Sequence, residues 1–317
     1  MTYTYTRDQL GQYLQRIRYC EDAGDNAAAR LAHLEQSIHK DPLAALAELQ
    51  RRHIATIPFG NSALHYSQHR SISLDPGVLF RKLVTSARDG YCMENSGLFY
   101  IVLRSLGFTV YATGGRVSRA IKNGVDDGGY GGLGHMVLIV TIGQVKYMVD
   151  VGFGPECPTR PLPLEEDKPV AYIAPAEMRL IKDSIPEFTD KSQKVWIYQT
   201  RHTPSSDWRP AYCFSEIEFL PQDFGVMNFY TSQSRTSWFT QKVVCVRIIL
   251  DANEEKIEGQ LILAGNQVKR RIRGESEVLQ TLKTENDRVN ALATWFGLHF
   301  QEEEVQGIQG LVSQISS

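Results

Sequence analysis

Gly134-His-Met-Val-Leu-Ile-Val-Thr-Ile-Gly-Gln-Val-Lys-Tyr-Met-Val-Asp150 holds two apolar runs separated by Ile142-Gly143-Gln144. Apolar and β-branched residues on both sides of a glycine turn predict an antiparallel hairpin, with strands over 135–141 and 145–151. The turn sets the register, and the register decides which side chains share a face. With Gly143-Gln144 as a two-residue loop, His135 faces Gly152 and Asp150 lies diagonally beside it. With Ile142-Gly143 as the loop, His135 faces Asp150 directly. Both registers bring an imidazole and a carboxylate to one side of the sheet, whereas a three-residue loop breaks the parity. A strand histidine with an aspartate as its hairpin neighbour is a candidate oriented base.

Outward from this hairpin, further short strands are predicted at 108–112, 195–199 and 211–219, so the middle of the chain reads as an antiparallel barrel or curled sheet. Before it the period is helical. Leu10, Tyr13, Leu14 and Ile17 follow Thr6 as N-cap, Leu43, Leu46 and Leu49 follow Asp41-Pro42, and Leu79 and Leu83 follow Asp75-Pro76. A fourth stripe of Met93, Phe99, Val102, Leu103 and Leu106 ends at Gly107. After the middle unit come a helical stretch at 220–229, a three-strand meander at 242–250, 256–263 and 267–273, and a closing helix at 288–295. The expected fold class is α+β, with an N-terminal helical bundle (1–107), a central antiparallel β-barrel (108–219) and a C-terminal α/β unit (220–317). Strands do not alternate with long helices, which argues against a parallel doubly wound sheet.

Arg88-Asp-Gly-Tyr-Cys-Met-Glu-Asn95 places Cys92 after a glycine turn, at the start of the fourth helix. Unpaired amides and the helix dipole favour an anion there, so a thiolate is a plausible nucleophile provided it has a base. Cys92, His135 and Asp150 then divide the work of nucleophilic catalysis without a metal. His135 takes the thiol proton, Asp150 orients and stabilises the imidazolium, and amides near Cys92 receive an oxyanion. The other cysteines, Cys20, Cys157, Cys213 and Cys245, form no C-x-x-C pair and no disulfide framework, and Cys245 reads as a core strand residue.

With 34 basic and 36 acidic residues the net charge is -2, so no global basic surface points to nucleic acid or anionic lipid. The run Lys269, Arg270, Arg271, Arg273 reads as a solvated strand face. A polar N-terminus leading into an amphipathic helix predicts neither a signal peptide nor a membrane span, and a cytoplasmic protein. The glycine-dense segment 123–134 lacks the Gly-Lys-Ser/Thr ending of a phosphate loop. It reads as a flexible surface loop, with a sharper alternative in which it lines the mouth of the site and makes Gly134 a substrate contact.

Several spaced motifs together resemble the arylamine N-acetyltransferases: Arg88-x-Gly-Tyr-Cys-x-Glu94, the Cys92, His135, Asp150 order, Ile57-Pro-Phe-x-Asn61 followed by His65-Tyr-Ser67, Asp150-Val-Gly-Phe-Gly154, and Leu292-x-x-Trp-Phe-Gly-Leu298. The resemblance implies a C-terminal α/β lid and ping-pong transfer through an acyl-Cys92 thioester. It implies an acyl-coenzyme A as co-substrate, acetyl-CoA first and malonyl- or propionyl-CoA as alternatives, and an arylamine or hydrazine as acceptor. It also implies that Phe153 lines the acceptor pocket and that Phe59 lies near the cysteine. Gly60 stands where the family usually has glutamate, Ser62 replaces a leucine, Asp89 a glycine, and Ser96 a common asparagine. These departures leave the donor open. An extra carboxylate on the donor needs a cation or hydrogen-bond donors, for which Arg88, Arg116 and the Tyr91 hydroxyl are candidates by proximity in sequence. Rival readings are a hydrolase or transglutaminase-like enzyme with the same residue order, and a silent ligand-binding protein of the same fold.

Overall fold

Helix starts in this chain are set by side chains that accept from the first free amides. The computed structural model describes residues 3–20, 26–125 and 127–315. Thr6 and Gln9 form a capping box at α1 (Arg7–Arg16). Asn26 caps α2 (Ala27–Lys40), and Asp41 caps α3 (Pro42–Thr56), with proline in its first turn. After β1 (Phe59–Gly60), Asp75 caps α4 (Pro76–Phe80), which runs on into a π turn at Arg81–Thr85. Helix α5 spans Cys92–Ser105, and Gly107 turns the chain away with φ +87. Three of these caps were legible in sequence. Helix α2 was not, because Ala27, Ala28 and Ala29 dilute an apolar stripe that buries Leu31 and Leu34.

The middle of the chain forms β2 (Thr109–Ser118), α6 (Arg119–Asn123), β3 (Tyr130–Ile142), β4 (Val145–Val149), β5 (Leu162–Pro163), β6 (Val170–Ala171), β7 (Glu177–Asp183), β8 (Val195–Arg201) and β9 (Arg209–Phe214). The expected barrel is an antiparallel eight-stranded sheet in the order β5-β4-β3-β2-β9-β8-β7-β6, so it is curled with two edges. Strand β2 outruns its expected end because Gly114 and Gly115, poor strand residues alone, let neighbours approach. Gly115 pairs with both His135 and Phe214, and a Cβ on Gly114 would strike the Phe219 ring. The strand expected over 211–219 stops at Phe214, after which Ser215 accepts from the Thr113 hydroxyl at 2.9 Å. Strand β7 was not anticipated, although Met178 and Leu180 are buried in alternation.

Helices α7 (Pro221–Gln233) and α8 (Trp238–Gln241) lead into β10 (Val244–Leu250), β11 (Ile257–Ala264), β12 (Gln267–Ile272) and β13 (Glu275–Thr281). Helices α9 (Glu285–Phe296) and α10 (Glu302–Val305) follow. The expected three-strand meander has a fourth member, β13, whose polar sequence concealed it, and a fifth, since β1 pairs Phe59 with Val246 and Gly60 with Cys245. The N-terminal and C-terminal thirds therefore share a sheet. One apolar cluster runs from Leu14 and Leu46 through Phe99 and Leu138 to Val246, so all three parts of the chain contribute to a common interior. Three of the four members of the basic run are ion-paired: Arg270 meets Glu277, Arg273 meets Glu258 at 2.8 Å, and Arg271 reaches Glu156 at 3.6 Å. Among the described residues no helix is long and apolar enough to cross a membrane.

Candidate active site

The turn before Cys92 is held from three sides. Gly60 donates to the Gly90 carbonyl at 3.0 Å, and Gly90 donates to the Pro58 carbonyl at 3.2 Å. The buried Glu94 carboxylate accepts from the Tyr91 amide at 3.1 Å and pairs with Lys82; burial raises its pKa, and Lys82 opposes the shift. From below, the Asn95 carboxamide donates to the Gly90 carbonyl and meets His53 at 3.1 Å, while Tyr13 meets the other nitrogen of that ring at 3.0 Å. Burial pushes His53 down to about 3, so it is a neutral structural imidazole.

His135 and Asp150 come together through the hairpin. Ile142 pairs with Val145 and Leu138 with Val149, which is the Gly143-Gln144 loop register; Gly143 adopts φ +62 in that turn. Asp150 lies just past the end of β4, and its Oδ2 is 2.7 Å from His135 Nε2. Its Oδ1 accepts from the Gly152 amide at 2.8 Å, and its carbonyl accepts from Gln50 at 3.0 Å. Nε2 is engaged by Asp150, and the ring shares the cavity wall with Cys92, which acts on it electrostatically. Burial lowers the imidazole pKa, but the charge and hydrogen bond of Asp150, helped by Cys92, outweigh it and push His135 up to about 10. The pair is almost wholly buried, at 1% and 0% exposure, so the charge is not screened by water. The site thus presents a thiol at a helix start beside an imidazolium held by a carboxylate.

A cavity of about 540 Å³ opens over this group. Cys92, His135, Phe59, Phe153 and Gly134 all line it, and the Gly134 carbonyl is 3.6 Å from the Cys92 sulfur. Tyr91 does not line it: its ring packs edge-on against Phe239 at 5.4 Å and its hydroxyl donates to Asn228. The segment 123–134 divides: Gly124, Val125, Asp127 and Gly128 are exposed at the surface, while Gly131–Gly134 belong to β3 and form one wall of the cavity. Of that segment, Asp126 lies outside the described residues. Sequence reasoning missed Gln50, which lies 100 residues from Asp150, and Tyr212, whose ring sits 4.8 Å from His135. No local pattern marks either.

None of the three expected carboxylate readers lines the cavity. Arg88 is clamped by Glu304 at 2.7 and 3.0 Å and stacks over Phe300. Arg116 donates to the Gly131 carbonyl at 3.4 Å, and the Tyr91 hydroxyl is occupied. Among the described residues no lysine or arginine faces this space.

A family model for N-acetyltransferases matches residues 42–305. The chain belongs to the arylamine N-acetyltransferase family. It is similar to the N-malonyltransferase FDB2 of Gibberella moniliformis, 36% identical over 95% of this chain and 91% of that protein. The arylamine N-acetyltransferase / N-hydroxyarylamine O-acetyltransferase of Salmonella typhimurium is 30% identical over 68% of this chain and 72% of that protein. Among solved structures, the Mycobacterium marinum arylamine N-acetyltransferase in complex with CoA aligns with a TM-score of 0.74 at 26% identity, over 95% of this chain and 99% of that one.

Three of the departures from the arylamine N-acetyltransferase motifs form a single contact. The Asp89 carboxylate fills the space that a Cβ on Gly60 would take, accepts from the Ser62 amide at 3.0 Å and bonds the Ser62 hydroxyl. They are coupled because a side chain at 60 and a carboxylate at 89 cannot occupy one volume. The fourth, Ser96, donates to the Met136 carbonyl at 3.3 Å and ties α5 to β3 beside His135.

Proposed function

We propose that this acyltransferase moves an acyl group from a coenzyme A thioester to the nitrogen of an arylamine or hydrazine through a thioester on Cys92, with malonyl-CoA as the favoured donor. The observation that carries the reading is the meeting of Cys92 with the His135–Asp150 pair on one wall of the cavity. The sulfur attacks the donor carbonyl while His135 holds its proton, and amides at the start of α5, which have no intrahelical acceptor, receive the oxyanion. The coenzyme A sulfur takes that proton from His135 and leaves as the thiol, which returns the imidazole to its neutral form. The acceptor nitrogen then attacks the Cys92 thioester, His135 takes the amine proton, and the thiolate returns. The M. marinum neighbour, solved with CoA, supports the donor class. The malonyl preference rests on the N-malonyltransferase relatives, 36–37% identical over 95–96% of the chain.

Intact-mass spectrometry after separate incubation with malonyl-, acetyl- and propionyl-CoA tests this directly. The protein should gain one malonyl group on Cys92 fastest, and an aniline should discharge it. Faster acetylation would return the donor to acetyl-CoA, and no acylation at all would sink the transfer reading.

Gly152 supplies a second check, because a Cβ there would lie 2.7 Å from the Cys92 Cα and 2.8 Å from its carbonyl oxygen, both backbone atoms at a rigid helix start. Gly152→Ala should push Cys92 off His135 and lower kcat on the order of 10²-fold. Wild-type kcat in a folded variant would show that the close approach does not position the thiol.

A further inference from the structure

Among the described residues the cavity wall has no lysine or arginine to receive a malonyl carboxylate, yet two of its residues carry hydroxyls that make no hydrogen bond to the protein. Thr231, in the last turns of α7, and Ser237, just before α8, are 7% and 6% exposed, and both line the cavity. Neither hydroxyl makes a hydrogen bond among the described residues. Ser237 occupies the N-cap position of α8 without its side chain capping that helix. The two residues are set into the wall with their hydroxyl oxygens open to the cavity, and polar groups so placed on a largely apolar ligand cavity are where ligand atoms make their bonds. This wall stands beside the nucleophile. Phe239, two residues after Ser237, packs against Phe59 at 6.1 Å and against Tyr91, the neighbour of Cys92, at 5.4 Å.

We propose that Thr231 and Ser237 determine donor specificity by donating to the two oxygens of the terminal carboxylate of a malonyl group as it is delivered to Cys92. The proposal rests on the malonyl reading above. Two O–H donors match two carboxylate oxygens, and charge-assisted bonds of this kind are the stronger ones. The same groups favour malonyl over acetyl, because a methyl group offers neither hydroxyl an acceptor. The selection is therefore made by hydroxyl donors on the α7–α8 wall and not by Arg88 or Arg116.

The test compares kcat/KM for malonyl-CoA and acetyl-CoA in wild type, Ser237→Ala, Thr231→Val and the double variant, with Thr231→Ser as the conservative rescue. Each single change should lower the malonyl-to-acetyl ratio about tenfold, the double change more, and Thr231→Ser should restore much of it. Melting temperatures check that the variants fold. A parallel fall for both donors would assign the hydroxyls to the shared coenzyme A moiety and overturn the proposal. An unchanged ratio would overturn it too. Wild type that does not malonylate Cys92 would instead remove the reading underneath, an outcome visible before any variant is made.

Discussion

Cys92→Ala should abolish acyl transfer, by on the order of 10⁴-fold or more, while leaving the fold intact. The side chain is small and buried, its removal opens little space, and its contacts with Gly134 and His135 serve the site more than the core. Its loss should cost the fold about 1 kcal/mol, within the ordinary range for a point change. Three of the four other cysteines are sealed from the reagent, and Cys20, which is half-buried, is replaced by serine in both proteins compared. Cys157, Cys213 and Cys245 are buried and free, and burial pushes Cys213 up to about 12 and raises the other two well above the ordinary thiol range, so they stay as inert thiols at neutral pH. Intact mass of Cys92→Ala after exposure to acyl-CoA should show no acyl adduct. An adduct, or turnover like wild type, would remove Cys92 from the mechanism.

Asp150→Asn should lower kcat on the order of 10⁴-fold with Cys92 still present. The reason lies in the balance at His135, where burial pulls the imidazole down and Asp150 holds it up to about 10. Without the carboxylate, burial prevails and the ring is neutral near pH 7, so the sulfur loses its cationic partner. Iodoacetamide should then alkylate Cys92 more slowly near neutrality. Stability carries the same signature. A histidine raised in the fold contributes stability that is fully present below about 6.5 and is lost as pH rises through about 10. The wild-type melting temperature should contain that decline, and Asp150→Asn should lack it. Equal alkylation rates and matching profiles would show that Asp150 does not sustain the charge.

The near-even charge, the spaced motifs and the helix caps at Thr6, Asp41 and Asp75 were readable residue by residue. So was the His135–Asp150 pairing, because a hairpin makes contact and sequence spacing nearly the same thing: the two residues are 15 apart and parity carries one to the other. Helix α2 and strand β13 escaped because their apolar patterns are thin: packing holds the helix in place, and pairing with β12 holds the exposed strand. That Arg88 and Arg116 do not line the cavity has a related cause. Nearness to Cys92 in sequence says nothing of direction, and Glu304, 216 residues from Arg88, turns its guanidinium away from the cavity.

The amino-acid sequence by itself thus determined the family, the class of chemistry and the two halves of the site, a thiol at a helix start and a histidine–aspartate hairpin. Only the tertiary structure decided that the halves meet, through Gly152 packing on the Cys92 backbone and Ser96 tying α5 to β3. It also decided that Asp89 and Gly60 form one contact and that Thr231 and Ser237 line the same cavity as Cys92. The physical reason is that such contacts join segments tens to hundreds of residues apart. No local period or propensity encodes them, and close packing of the shared interior selects them.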